Sequence, residues 1–393
     1  MTIQSVTLHS ILVPLKKKIR HASHERTSSQ NLVVQVKLRS GHVGYGEGVP
    51  RSYVTGETIE SALGTLSRVD VAKLVGNPES LGDVVRQLEG WELPETLADP
   101  RGMNGNAARC ALELAILDAY GLYFGRSIGD VIRMIHLPDL KLHPAPRGVR
   151  YSGAITAESR RGEVISAWKM RLYGFAQVKI KVGVSGQDDP RRLAKLRGIL
   201  GRRVDLRLDA NEAWHAPELL EHVAPLRQFQ PSLLEQPVPH AEVEALAELR
   251  KALDIPVMLD ESLCGYPDAT RAIREGTTDF FNVRLSKCGG IISSLRLFAL
   301  AERHGIKLQL GCHPGETGLL SAAGRHVAAN VAGLRYVEGS YDRHVVVENL
   351  ILEDITFRYG GRAPALSGPG LGVHVDPERL DRMTEERKEI TYE

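Results

Sequence analysis

The stretch Val178-Lys179-Ile180-Lys181-Val182-Gly183 alternates apolar residues with lysines, as a strand does when its two faces meet different surroundings. Similar apolar runs recur downstream, each closing on a polar residue: Asp209 after Leu206-Arg207-Leu208, Glu235 after Leu233-Leu234, Asp260 after Val257-Met258-Leu259, and Arg284 after Asn282-Val283. The steps from Lys181 are 28, 26, 25 and 24 residues, each the length of one strand plus one helix. These residues therefore share one height, the C-terminal end of successive strands.

Extending the pattern both ways predicts eight strands, at 151–155, 177–182, 204–210, 232–235, 256–260, 280–285, 307–311 and 334–338. Amphipathic segments lie between them. Pro190 to Leu200 places Leu193, Leu196 and Leu200 on one side, and another helix begins at Pro217, a residue suited to a first turn. Regular alternation implies a parallel sheet. Eight units predict an α/β protein of the (β/α)8 TIM-barrel type, with its active site on the C-terminal face. An open doubly wound sheet is disfavoured, because no strand carries a G-x-G-x-x-G turn into its helix.

Upstream, residues 2–13 and 31–38 read as strands, Gly41 to Gly48 as a glycine-rich turn, and the chain from Thr58 as helical, with a clear helix from Asn106 to Phe124. Downstream of Val345 the rhythm breaks. Gly360-Gly361 and Ser367 to Gly372 mark a tail that leaves the barrel to pack on the N-terminal part. The expected division is an α+β capping domain at 1–125, the barrel at 126–345, and a returning segment at 346–393.

The chain of 393 residues, 42% hydrophobic and 25% charged, has room for a large and a small domain. Its net charge of +2, from 50 basic against 48 acidic side chains, gives no reason to expect nucleic acid or a membrane surface as partner. Met1 to Leu15 lacks the pattern of a secretory signal, so a cytoplasmic location is expected. Cys110, Cys264, Cys288 and Cys312 form no C-x-x-C pair and read as reduced, buried or half-buried thiols.

In a barrel the helices cover the outside, so Val178, Ile180 and Val182 face them while Lys179 and Lys181 face the interior. By the same alternation Arg207, Asp209 and Asn211 point together, as do Asn282, Arg284 and Ser286. Taken singly, each acid would be an ordinary salt-bridged carboxylate. Three in register, Asp209, Glu235 and Asp260, repel one another unless a cation neutralises them. All-oxygen ligation suits Mg2+, and Mn2+ fits the same set. A metal holding a substrate carboxylate stabilises the enolate left when the α-proton departs. Lys181 is the candidate base, because the neighbouring cation Lys179 lowers its pKa.

These residues resemble the muconate-lactonizing-enzyme branch of the enolase superfamily, with its mandelate-racemase-like relatives. Gly44-Tyr45-Gly46-Glu47-Gly48 and Val54-Thr55-Gly56-Glu57-Thr58 are similar to its capping-domain loop, and Val178 to Gly183 to its K-x-K strand. Leu208-Asp209-Ala210-Asn211, Leu234-Glu235-Gln236-Pro237 and Leu259-Asp260-Glu261-Ser262 are similar to its metal-binding strand ends. Lys287-Cys288-Gly289-Gly290 and Gly368 to Gly372 match later landmarks. The resemblance implies a small-molecule carboxylate substrate and a homo-oligomer. It also prefers Asp260 over Glu261 as ligand.

One departure bears on the reaction. The family usually carries a second catalytic lysine at the position of Arg284, and arginine stays protonated. Strand parity places Lys287 on the opposite face. One-base chemistry on Lys181 is therefore the leading expectation, either cycloisomerisation or β-elimination, with Arg284 as electrostatic partner. The alternative is a racemase or epimerase of an amino-acid derivative or dipeptide, using Lys181 with His313 or Lys287. A second alternative is a barrel that binds a carboxylate without turning it over. Mandelate-racemase relatives use a histidine on the seventh strand, which gives His313 its interest. The expected substrate contacts are Asn211, His313 and Glu316 on the barrel, and His21, His24, Arg51 and Tyr53 on the capping loops.

Overall fold

The computed structural model describes residues 1–20, 25–94, 105–156 and 159–393. The first two strands, β1 (Ile3–Arg20) and β2 (Glu25–Leu38), pair antiparallel with Val6 opposite Val36 and Leu8 opposite Val34, so their apolar residues share a buried face. The segment expected to be a glycine-rich turn is instead a third strand, β3 (Val43–Gly48), paired to β2 with Val34 opposite Gly46. Its glycines serve packing. A Cβ on Gly44, Gly46 or Gly48 would collide with backbone atoms of Ala119, Ala111 and Ala107 in the helix Asn106–Phe124. Two residues of strand and about one turn of helix advance the chain by similar distances, so the glycines at every second strand position meet helical residues spaced four apart: Ala119, Ala115, Ala111 and Ala107.

After the short β4 (Val149–Arg150) the barrel begins. Its strands are β5 (Gly153–Ile155), β6 (Gln177–Lys181), β7 (Asp205–Asp209), β8 (Leu233–Glu235), β9 (Val257–Leu259), β10 (Phe280–Val283), β11 (Lys307–Leu310) and β12 (Leu334–Val337). They are neighbours in chain order and all parallel. Ser152 N donates to Val337 O at 2.8 Å, linking the first strand's lead-in to the last strand. The element starting near Pro217 is a broken one: Ala216–Glu218 and Ala224–Phe229 are 3-10 turns around a single helical stretch, Leu219–Val223. Pro225 lacks the N–H that a continuous helix needs, whereas Pro217 falls in the first turn, where none is required.

The tail pairs β13 (Arg362–Ala363) with β4, then adds β14 (Thr384–Thr391) antiparallel to β1, giving the order β14-β1-β2-β3. The capping unit is thus completed by the C-terminus, as expected. Buried carboxylates lock it to the barrel. Glu113 accepts from Ile291 N at 2.6 Å at the start of the helix Ile291–Arg303, and Glu47 accepts from Thr317 N at 2.9 Å at the start of Gly318–Asn330. Asp118 accepts from Leu371 N at 2.7 Å, which fixes the Ser367–Gly372 run. Each satisfies orphan N–H groups that no side chain of the capped segment itself reaches as well. Cys110, Cys264 and Cys288 are buried and Cys312 half-buried. Among the described residues, no helix is long and apolar enough to cross a membrane.

Candidate active site

Register brings the site together. Lys181 lies opposite Asp209 and Asp209 opposite Glu235, while Asp260 follows the end of β9. The turns after these strands are tightly wound: Asn211 has φ 44° and Gln236 φ 35°, left-handed values that non-glycine residues seldom adopt. Gln236 is a functional neighbour that sequence reading missed. Its Oε1 accepts from Asp260 N at 3.0 Å and Ser262 N at 3.1 Å, so it shapes the turn that carries Asp260. Asn211 donates to Asp209 Oδ1 through its backbone at 3.2 Å and to Glu261 Oε1 through its side chain at 3.3 Å.

Lys179 is the hub of the interior. Its Nζ lies 3.3 Å from Asp209 Oδ2, 3.1 Å from Glu235 Oε2 and 3.0 Å from Glu338 Oε2. Burial alone would lower its pKa, but Glu235, Glu338 and Asp209 outweigh that and raise it, so Lys179 stays charged. Glu338, one residue past β12, was not singled out from the sequence. It also meets Arg207 Nη2 at 3.0 Å, and Arg207 is fully buried. Lys181 behaves oppositely: burial lowers its pKa, and Lys179 and Arg284 add to the effect against Asp209 and Glu261. Burial is thus a larger cause than the neighbouring lysine invoked above.

Arg284 donates to Asp260 Oδ2 through Nη2, which also lies 4.0 Å from Glu235 Oε1. Its Nε has no partner among the described residues. Lys287 does not lie on the opposite face. Its Nζ reaches Asp260 Oδ1 at 2.8 Å, Asp260 O at 2.5 Å and Asn282 O at 2.9 Å. Alternation ceases to apply because β10 ends at Val283 and the chain turns, with Cys288 N donating to Arg284 O at 2.9 Å. Lys287 is sealed beneath Asp260, and burial lowers its pKa to about 8. Asn282, which strand alternation placed on the interior face with Arg284, donates to Glu235 Oε1 at 2.9 Å.

His313 is buried at 3% exposure, and neither ring nitrogen has a hydrogen-bond partner among the described residues. Burial, then Arg284, Arg51, Lys287 and Arg26, hold its pKa well below the ordinary histidine value. Glu316 turns back on its own loop, accepting from His313 N at 2.8 Å and from Ser321 Oγ at 3.3 Å. Arg51 donates to Gln30 O at 3.1 Å, Pro50 O at 2.7 Å and Ser29 Oγ, and Arg26 lies 5.7 Å over the Tyr53 ring. His21 and His24 lie outside the described residues.

Asp209, Glu235 and Asp260 are at most 2% exposed on three adjacent strand ends, a hard-oxygen donor set of the kind Mg2+ takes. As the side chains stand, among the described residues no three acid, His or Cys groups close into a cage. Arg284 and Lys287 take the two oxygens of Asp260, and Lys179 lies against Asp209 and Glu235. The three carboxylates are a donor set that fits a divalent ion, which would take over part of the charge these cations now balance.

A parallel barrel with lysines on its second strand and acids ending the next three, under a cap completed by both chain ends, is the architecture of a barrel enzyme that works at its C-terminal rim. Residues 163–379 match the model described as enolase C-terminal domain-like, and the chain belongs to the enolase superfamily. It is 29% identical over 336 residues to the hydrophobic dipeptide epimerase of Enterococcus faecalis, covering 84% of this chain and 87% of that protein. It is 27% identical over 393 residues to muconate cycloisomerase 1 of Rhodococcus opacus, covering 98% and 99%. Its structure is similar to that of a dipeptide epimerase from Cytophaga hutchinsonii complexed with Mg and D-Ala-L-Val, at TM-score 0.82 and 25% identity over 100% of each chain.

Proposed function

We propose that this protein is a Mg2+-dependent racemase or epimerase, an isomerase that removes the proton α to a substrate carboxylate on one face and returns it on the other. The observation that carries this reading is a pair of buried nitrogen bases on different walls. Lys181 stands at the end of β6 and His313 just beyond β11, three strands apart one way around the barrel and five the other. Burial depresses both pKa values, which moves each toward the neutral form a base needs. The epimerases among the relatives favour this reading over the one-base chemistry expected from Arg284 alone.

Asp209, Glu235 and Asp260 would hold the metal, which when bound supplies Lewis-acid stabilisation of the charge that develops on the substrate carboxylate. Lys181 Nζ takes the α-proton of one stereoisomer, and His313, protonated in that half-reaction, delivers a proton to the other face. In reverse the roles exchange. Lys179, locked in its charged state by three acids, orients Asp209 and Glu235 and adds positive potential behind them. Arg284 cannot act as a base at working pH, so it serves the substrate as a fixed cation. Lys287 holds Asp260 from behind and is not exposed to substrate.

Proton NMR in D2O tests the assignment with separated stereoisomers of N-acyl amino acids and dipeptides. Wild type should exchange and invert. Lys181→Ala should still exchange one stereoisomer, and His313→Asn only the other, neither inverting. Exchange without inversion in wild type, with a ring-closed or unsaturated product, would return the assignment to cycloisomerase or lyase. Binding with no exchange would make the protein a carboxylate-binding barrel.

A further inference from the structure

Three arginines stand in a row at the end of the barrel opposite to Lys181. Arg150 on β4, just ahead of the first barrel strand, lies directly across from Arg362 on β13. Arg362 in turn lies directly across from Arg358, over the turn Tyr359-Gly360-Gly361. Residues opposed in this way project from one face, where like charges repel. The turn uses the glycine pair that stood out in the sequence. Both glycines have φ 71°, and a Cβ on Gly361 would strike the Tyr151 carbonyl. Gly361 O accepts from Tyr151 N at 2.7 Å and Gly360 N donates to Tyr173 O at 2.7 Å, so the backbone pins the turn to the barrel.

No acid answers the row. All three arginines are exposed, and among the described residues none has a carboxylate within ion-pair distance, whereas Arg335 and Arg343 pair with Asp205 and Asp354 at 3.0 Å. Arg150 leans over the turn, giving Nε to Gly360 O at 3.2 Å and Nη2 to Gly174 O at 3.5 Å. A Cβ on Gly360 would lie 3.9 Å from Arg362 Nε, so the two guanidinium groups converge there. Beside them opens a cleft of about 280 Å3, lined by Gly148, Val149, Arg150, Arg362, Ala363 and Pro364, of which only the arginines are charged. A single exposed arginine is content in water. Three held side by side by the backbone repel one another until a multiply charged anion joins them, and guanidinium forks suit phosphate oxygens. At about 4.8 Å between strands the outer stems are rooted about 10 Å apart. One orthophosphate meets one or two of them; two linked phosphates reach all three.

We infer that Arg150, Arg362 and Arg358 form a binding site for a diphosphate group, at the end of the barrel away from the catalytic rim. The site does not depend on the isomerase reading. Free pyrophosphate and a nucleoside diphosphate carry the same group. Tyr359, 68% exposed beside Arg358, is the ring on which the base of a nucleotide would stack.

Calorimetric titration of the full chain tests this with pyrophosphate, orthophosphate and sulfate, at low ionic strength and without added divalent ion that would complex the probes. Pyrophosphate should bind at least about tenfold more tightly than either of the others. Arg150→Gln, Arg358→Gln and Arg362→Gln should each weaken it about tenfold, the effect of one charge-assisted contact. Arg335→Gln removes an equal charge that is already paired with Asp205, and should change the affinity by about twofold at most. Should Arg150→Gln disturb the turn to which it is bonded, Arg358→Gln and Arg362→Gln decide. ADP separates the two sources. Tighter binding than pyrophosphate, lost in Tyr359→Ala, identifies a nucleotide site, and binding no tighter than pyrophosphate identifies a site for the free anion. Pyrophosphate held no better than sulfate, an affinity unmoved by the row variants, or an equal loss in Arg335→Gln would overturn the inference.

Discussion

Glu113→Gln offers a direct measure of what a buried cap costs this fold. Glu113 sits at 0% exposure, and Oε1 accepts from Ile291 N at 2.6 Å and from Ile292 N at 3.2 Å. Burial, only partly offset by Arg109 and those N–H groups, lifts its carboxyl from 4.5 to about 7. The folded protein therefore keeps this proton up to about pH 7, whereas the unfolded chain releases it near 4.5. Between those values the folded state binds more protons, so stability falls as pH rises. At about 1.4 kcal/mol per pH unit the loss is about 3 kcal/mol. Glutamine keeps the accepting oxygen and has no proton to lose. Its amide group occupies the place of Oε2, which lacks a partner among the described residues, so it meets the same want of an acceptor as the acid's hydroxyl. The two proteins should match near pH 4.5, and the variant should lead by about 3 kcal/mol at pH 8. Urea midpoints at four pH values between 5 and 8, with unchanged m, read this directly. A gap constant across pH, or a variant weaker at pH 8 than wild type, would refute the reasoning.

Gly46→Ala should cost at least about 2 kcal/mol in urea unfolding, because the new methyl meets the Ala111 carbonyl on a fully buried helix. Glu338→Ala should cost about 3–5 kcal/mol at pH 7, since it strips a buried acid from both Lys179 and Arg207. Those two cations hold the Glu338 carboxyl below its ordinary range against the effect of burial. Its contribution is therefore full above about pH 4.5 and fades as pH falls through the lower folded value, so the gap to wild type should shrink in acid. Arg284→Gln should raise Mg2+ affinity at least about tenfold by calorimetry, because a cation competing for Asp260 is gone; unchanged or weaker binding would mean that Arg284 does not contest the site.

The barrel strands and the acids ending them were legible because a strand's end is a position in a period, and the period of one βα unit survives in the sequence. The strand-end rule would also have reached Glu338, which closes Leu334-Arg335-Tyr336-Val337, had it been carried to the eighth strand. Lys287 was misplaced by pushing alternation past Val283, where the chain has already turned. Gly44, Gly46 and Gly48 looked like a turn because glycine permits turns. Their reason, a helix lying against them, is a tertiary contact some sixty residues away in sequence, which no local pattern carries.

The arginine that blocks a second lysine base and the arginines at the mouth belong to one arrangement. His313 is held neutral by its burial and by Arg284, Arg51, Lys287 and Arg26 together. A neutral imidazole can take a proton, but one half of an inversion requires it to give one. Arg284→Gln removes the largest of those charge effects and should therefore raise the pKa of His313, read by NMR of the imidazole across pH; an unchanged value would show that burial alone sets it.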